Sequence, residues 1–394
     1  MFLFSSLLLA PPCEAGEIFT SVSEGSETIF RGHNWNRGFP RDDGWDYLHA
    51  AGGDYNLAFM GEDFQIADDR NYPLTGRNDL IDHGVARCPD GGALHASFSA
   101  GNGDTQHTFR YDADWNLLTT NQTVSDDIEV HASDPPVLCS ALLNATALGY
   151  GFQVPFRLSV LDDDGALIRF VDLPTDLQAT GASLMVDAES NTLMALSNSW
   201  AEFAPIAVNV FSLDDFSLVD ARDLDTPQGS ERRAFWPQGL MKIGEHYLLG
   251  YIVTGEVQGK RNDEGDVWLS AFDLDWNHVE TVEVIAEPET KNAYFRVGLA
   301  RKGNTILVTY DHSNALNFSV VMVDLVALGA EGGDTGLPVD DTGIDTGDSG
   351  DSGGDGPFGD GEGCGCTAVA PSGAGTAGLG SLLALVGWRR RRGP

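Results

Sequence analysis

Short apolar runs broken by acidic turns recur along most of the chain. In one unit an apolar stretch meets an Asp-rich turn and a second apolar stretch follows. The copies run from Asn56 to Ile66 around Asp63, Thr108 to Leu118 around Asp114, Arg157 to Leu167 around Asp164, Val208 to Leu218 around Asp215, Leu269 to Val279 around Asp275, and Ser319 to Val326 around Asp324. The anchoring aspartates are 49 to 60 residues apart. A second unit, strand, Gly-punctuated turn and strand, runs in phase with the first: Leu80 to Arg87 before Ala93 to Phe98, Trp236 to Gly244 before Tyr247 to Tyr251, and Phe295 to Gly303 before Thr305 to Tyr310. Looser copies span Pro136 to Tyr150 and Gly181 to Leu196. Each period therefore holds four short strands, which is the arithmetic of a β-propeller blade. Runs such as Ile206 to Phe211 are nearly continuous in apolar character, as expected of sheets covered on both faces. The expectation is an all-β, six-bladed β-propeller over residues 16–330. Its sixth blade lacks an outermost strand, and the segment Glu17 to Phe30 (EIFTSVSEGSETIF) is placed to supply it and close the ring.

The ends differ in character. Residues 1–15 hold a short apolar run, Phe2 to Ala10, followed by Cys13-Glu14-Ala15, and read as a signal peptide. Residues 331–363 are almost wholly Asp, Gly, Thr, Ser and Pro, with units such as Asp341-Thr342-Gly343 and Asp348-Ser349-Gly350. Such a segment has no apolar surface to offset chain entropy, and it reads as a disordered acidic linker rather than as aspartic-protease triplets, which need apolar strand ends. Residues 364–394 hold Cys364-Gly365-Cys366, an uncharged stretch from Thr367 to Trp388 and the cluster Arg389, Arg390, Arg391 and Arg392. That stretch is just long enough for a transmembrane segment, and the arginines would hold its end in the cytoplasm.

This ordered ending resembles the MYXO-CTERM sorting tag of myxobacteria and their relatives, carried by Gly363 to Cys366, Trp388 and Arg389 to Arg392. The resemblance implies recognition by a dedicated membrane protease, with Cys364 or Cys366 modified or retained as the anchor. It also implies an exported body tethered by its C-terminus at the cell surface or outer membrane of a Gram-negative bacterium. A plain C-terminal membrane anchor is the alternative.

Charge narrows the function. Of 394 residues, 23 are Lys or Arg and 59 are Asp or Glu, a formal net charge of −36. A field of that sign repels phosphate backbones, so no nucleic-acid partner is expected. No G-x-S-x-G elbow, P-loop or H-E-x-x-H zinc pattern occurs. Asp112, Asp114 and Asn116, and likewise Asp273, Asp275 and Asn277, open like a calcium loop but lack its glycine and its twelfth-position glutamate. Ordinary hairpin turns are expected there, with Trp115 and Trp276 covering a blade edge and a calcium ion as the lesser alternative; no other cofactor or metal is expected. Cys88 and Cys139 fall at equivalent positions of adjacent blades, either as a disulfide or as two buried thiols. Asp82, His83, His131, Asp134, Arg232, Arg233, Trp236, Tyr294 and Arg296 all precede or begin inner strands, so they are expected around one channel mouth. There His83 and His131 would line a wet channel, Arg232 and Arg233 would face an anion, and Trp236 and Tyr294 would offer stacking surfaces. The functional expectation is a non-catalytic binding module, with a carbohydrate-active hydrolase or lyase using mouth carboxylates as the alternative.

Overall fold

The computed structural model describes residues 17–27, 34–51, 54–99, 102–124, 135–148, 156–179, 181–198, 204–227, 233–254, 265–285, 295–312 and 315–330. The expected signal peptide (1–15), linker (331–363) and tail (364–394) lie outside the described residues. Those described form β-strands and turns, with no helix among them long and apolar enough to cross a membrane.

The first strand, β1 (Phe19–Glu27), belongs to the last blade. Blade 1 follows with β2 (Asn34–Arg41), β3 (Gly44–Ala51), β4 (Asp54–Gly61) and β5 (Ile66–Pro73). Blade 2 holds β6 (Leu80–Arg87), β7 (Ala93–Ser99), β8 (Asn102–Tyr111) and β9 (Leu117–Val124). Blade 3 holds β10 (Val137–Cys139), β11 (Asn144–Leu148), β12 (Arg157–Leu161) and β13 (Leu167–Asp172). Blade 4 holds β14 (Ser183–Asp187), β15 (Thr192–Asn198), β16 (Ile206–Ser212) and β17 (Leu218–Asp223). Blade 5 holds β18 (Arg233–Ile243), β19 (His246–Thr254), β20 (Gly265–Asp273) and β21 (His278–Ile285), and blade 6 holds β22 (Phe295–Lys302), β23 (Thr305–His312) and β24 (Ala315–Val323). Each blade is an antiparallel four-stranded sheet, and blade 6 takes β1 as its fourth strand. The first strands of the blades (β2, β6, β10, β14, β18 and β22) touch one another in sequence around a closed ring, with β22 returning to β2. This is the expected six-bladed propeller.

The N-terminal segment closes it as the pattern implied. β1 pairs along β24 from Phe19 opposite Val323 to Glu27 opposite Leu316. Its entry is fixed from two sides: the Glu280 carboxylate on β21 accepts the amides of Ile18 at 2.9 Å and Phe19 at 3.2 Å, and the Ile18 carbonyl accepts the Asp324 amide at 2.8 Å. The otherwise open edge of β24 is thereby paired.

The turn that carries the repeating aspartate explains the repeat. The residue after each anchoring Asp is left-handed in five blades: Phe64 (φ 59°), Trp115 (64°), Gly165 (80°), Phe216 (58°) and Trp276 (60°). A left-handed conformation costs an ordinary L-residue about 1–2 kcal/mol, and four of these five are large aromatics. Burial offsets the cost, since hiding one such side chain is worth about 1.5–3 kcal/mol. Trp115 and Trp276 do not cover an outer edge; they are 6% and 7% exposed and plug seams between blades.

Each turn reaches the blade before it. Phe64 meets Phe318 of blade 6 at 6.2 Å between centroids. The Trp115 indole N–H donates to Asp46 of blade 1 at 2.7 Å. The Gly165 carbonyl accepts Thr108 of blade 2 at 2.6 Å. Arg169 of blade 3 lies 5.5 Å from the Phe216 ring. Arg222 of blade 4 donates to the Asp275 carbonyl at 2.6 Å, and the Leu328 carbonyl, in the chain following β24, accepts the Glu245 amide of blade 5 at 2.9 Å. The circuit of contacts is complete.

The seam between blades 1 and 2 is also ionic. Asp46, 1% exposed, accepts Arg41 at 3.1 Å, Arg87 at 2.6 Å and the Trp115 indole, and Arg87 stacks 4.5 Å from the Trp115 ring. Between blades 2 and 3, Cys88 and Cys139 form a disulfide with a Cα–Cα distance of 4.9 Å. It ties β10, which pairs with β11 over only three residues, to its neighbour.

Two stability predictions follow from these seams. The Cys88→Ala/Cys139→Ala variant opens a loop with a sequence separation of 51, which should lower unfolding free energy by about 4 kcal/mol; urea denaturation of oxidised wild type against the variant measures it. Asp46→Ala strands the buried Arg87 guanidinium and should cost about 3–5 kcal/mol in the same assay.

Candidate functional site

Neighbouring inner strands lie side by side in matching register. A side chain at Gly84 would strike Pro135 and Val137, one at Gly239 would strike Leu299, and one at Gly298 would strike Arg37. The Ser183 hydroxyl reaches the Pro237 carbonyl in the same layer. The inner strands therefore run in one direction, and their starts share one mouth of the channel.

Near those starts the pairing with the second strand is interrupted by a bulge, between Ile81 and Gly84, Phe235 and Gly239, and Phe295 and Gly298. Asp82 (φ 54°), Trp236 (52°) and Arg296 (59°) sit within these bulges in left-handed conformation, with Gly181 (68°) at the matching place in blade 4. Three of the sequence-selected residues thus occupy equivalent rim positions. Non-glycine residues held in this region store strain of about 1–3 kcal/mol, which the surrounding structure must over-determine. At Trp236 the cause is visible: the indole lies across Gly181, where a Cβ would fall 2.6 Å from its Cδ1, so the glycine is required twice, by φ and by contact.

The blade 6–blade 1 seam at this rim is polar. Asp311, fully buried near the end of β23, accepts the Asn36 amide at 3.1 Å, the Asn36 side chain at 2.8 Å and Arg296 Nη1 at 3.1 Å. Arg37 Nη1 donates to the Asn36 carbonyl at 2.8 Å and the Arg296 carbonyl at 3.1 Å. Beneath them the Tyr47 hydroxyl is pushed well above its usual range by burial and by the Asp311 charge.

The blade 1–blade 2 seam carries a stack of imidazoles and aromatic rings. His83 Nδ1 lies 3.0 Å from His95 Nε2; Tyr55 stacks on both at 4.9 and 5.0 Å, and Phe109 continues the stack 5.0 Å beyond His95. His83 is 1% exposed, so it is part of this wall and does not line a wet channel. Burial holds it well below the usual histidine range, with further repulsion from His95 and from Arg296, which brings the two seams into one electrostatic neighbourhood. Burial lowers His95 to about 3. Both rings are neutral near pH 7.

His131, Asp134, Arg232, Tyr294 and the Arg233 side chain lie outside the described residues; the Arg233 backbone pairs with Thr254. The acidic turns are self-contained. Asp112 accepts the Asp114 amide at 3.0 Å, the Asn116 amide at 2.8 Å and the Asn116 side chain at 2.9 Å, and Asp273 does the same with Asp275 and Asn277 at 2.9, 2.8 and 2.8 Å. Among the described residues no three or more His, Cys, Asp or Glu side chains are grouped to hold a metal.

Sequence reasoning missed Asn36, Arg37, Asp311, His95 and Tyr55. A signal existed for the first two: Asn36-Arg37-Gly38 is blade 1's version of Arg296-Val297-Gly298, at the same ring position.

No protein-family model and no curated protein sequence matches the chain. Among solved structures it is similar to a DUF4221-family protein of Bacteroides vulgatus, with a TM-score of 0.50, 9% identity, and coverage of 80% of this chain and 98% of that chain. It is also similar to a protein of unknown function from Dyadobacter fermentans, with a TM-score of 0.56, 10% identity, and coverage of 77% and 99% respectively. A Bacillus subtilis arabinanase aligns at a TM-score of 0.40 with 9% identity over 64% of this chain and 96% of that one, which is too distant to bear on function. At these identities the likeness concerns the propeller fold alone.

The neutral imidazoles set a pH dependence. Their folded pKa values lie below the unfolded value near 6.5, so the unfolded chain binds protons that the native chain refuses. The stability they support is full above pH 6.5 and is lost as pH falls below it, for His95 by about 1.4 kcal/mol per pH unit down to its folded value of about 3. His95→Phe keeps the stack and removes one proton from that balance. Its stability should fall less steeply than wild type between pH 6 and 4, measured by denaturant titration at each pH.

Proposed function

We infer that this chain is an exported, surface-tethered propeller that acts as a non-catalytic binding module, taking its ligand at the channel mouth where the inner strands begin. The supporting observation is how the rim is wired. Asn36 is bonded to Asp311 across the blade 6–blade 1 seam, and Arg296 holds the same carboxylate. Tyr55 of blade 1 stacks on the bonded His83–His95 pair of blade 2, and together these contacts stiffen the rim. A glycoside hydrolase needs two carboxyl groups flanking a bond, one of them free to give and take a proton. Asp311 is instead engaged by three donors at once, as a scaffold carboxylate is. Rigid rims carrying variable loops are the usual basis of recognition on repeat scaffolds.

The tether rests on the sequence. The acidic linker would carry the ring away from the membrane, and Cys364 or Cys366 would anchor it after a sorting protease has acted on the Arg-ended tail. On this reading Cys364→Ala/Cys366→Ala would release the protein from the cell surface in the native host, read by membrane fractionation.

The binding reading is tested with the full chain on a glycan array and in a parallel hydrolysis screen. Retention of a defined glycan without product formation is expected. Turnover of any glycan on the array would replace the module with the hydrolase reading.

A further inference from the structure

The geometry points to a carboxylate-binding site at Arg37 on the channel wall, a proposal that rests on the binding-module reading and names the ligand chemistry of its rim. Seven other arginines, Arg41, Arg77, Arg87, Arg110, Arg157, Arg222 and Arg296, each meet an aspartate. Arg37 meets none among the described residues. Its Nη1 donates to two carbonyl oxygens, of Asn36 and Arg296, and its Nε and Nη2 have no hydrogen bond or ion pair among the described residues.

That pattern is specific. Two main-chain carbonyls hold one corner of the guanidinium plane, leaving the Nε–Nη2 edge with its parallel N–H pair. This edge matches the two oxygens of a single carboxylate. The side chain is also seated: Gly298 on β22 makes room for it, since a Cβ there would fall 2.9 Å from Arg37 Cδ. Arg37 is half-buried, so the residue is partly stripped of water, which raises the value of an anionic partner. Asp311, the carboxylate of this seam, is already engaged by Asn36 and Arg296.

Charge selects among oxyanions. The chain carries a formal net charge of −36, and its long-range field opposes a dianion more than a monoanion. A carboxylate, with one charge and two coplanar oxygens, fits where a phosphate is disfavoured. Free carboxylates and carboxylate-bearing sugars share this chemistry, and pre-positioning of the fork removes much of the ordering cost of binding either.

Calorimetric titration of the full chain, at fixed ionic strength, tests the site with sodium glucuronate, sodium acetate, sodium phosphate and glucose. Saturable glucuronate binding is expected, weakened at least tenfold in Arg37→Gln and unchanged in Arg157→Gln on β12, the third strand of blade 3, where the arginine is paired with Asp172. Acetate binding equal to glucuronate would assign a free carboxylate, and tighter glucuronate binding a uronic-acid sugar. Glucose should not bind at the same site. Arg37→Lys, which can still reach the two carbonyls but has no fork, should lose most of the affinity; it serves as the test if Arg37→Gln fails to keep the wild-type circular dichroism. No carboxylate binding by wild type, equal binding by the Arg37 variants, or preference for phosphate would overturn the proposal. A glycan-array ligand retained by Arg37→Gln would do so as well while leaving the binding module intact. Glycan turnover would instead defeat the module, with carboxylate binding still judged by the Arg37 variants.

Discussion

The ring depends on one repeated contact: in five blades a hairpin turn, and in the sixth the chain following β24, reaches back onto the blade before it. The turn requires a left-handed residue after the anchoring aspartate, and in four blades that residue is Phe64, Trp115, Phe216 or Trp276 rather than glycine. A glycine would make the turn at no steric cost but would bring nothing to the seam. An aromatic makes the turn at a cost and then fills the seam, so turn formation and blade association become a single event. Blade 3 illustrates the exchange. Its turn uses Gly165, and its carbonyls compensate by accepting Thr108, Thr119 and Asn121 from blade 2. Its inner strand is the shortest of the six, and the Cys88–Cys139 disulfide binds that strand to its neighbour.

This coupling explains why the architecture was legible in the sequence. A turn that needs a side-chain acceptor carries aspartate wherever it recurs. Asp112, Asp162 and Asp273, two residues before the anchoring aspartate, accept amides two and four residues on. In blades 1 and 4 the anchoring Asp63 and Asp215 accept the amides of Gln65 and Ser217. Period, blade count and the closing strand can all be read from that chemistry. The direction in which the aromatics point cannot. Whether Trp115 covers an edge or plugs a seam depends on Asp46, 69 residues earlier, which has no local signature.

The rim was legible only in part for the same reason. Asp82, Trp236 and Arg296 could be placed together because inner strands repeat in phase, and the structure puts them in equivalent bulges. His83 starts an inner strand too, yet its ring turns into the blade 1–blade 2 seam because Tyr55 and His95 offer a stacking slot there. Asp311 lies near the end of a second strand and joins the rim only because ring closure brings blade 6 against blade 1. Contacts across the closing seam, 275 residues apart in the chain for Asn36 and Asp311, are the ones a periodic reading cannot supply.

The two ends of the inner strands are consequently built for different purposes. At the end away from the mouth, Asp46 is saturated by Arg41, Arg87 and Trp115, and Cys88 is bonded to Cys139. Opposite charges there cancel within the wall, and the disulfide adds a covalent tie. At the mouth the wall is stiffened by groups that carry little net charge, the neutral His83–His95 pair and Asp311 compensated by Arg296. These two groups do not add to the acidic field of the chain at the point where a ligand would enter. Against that background a single guanidinium held by carbonyls rather than by a carboxylate is a local potential of opposite sign to the whole molecule. It acts over a few ångströms, because solvent ions screen charges beyond about 8–10 Å. Such an arrangement makes recognition short-ranged: the acidic surface does not attract anions from a distance, and only a ligand whose shape brings a carboxylate into contact with the fork gains from it.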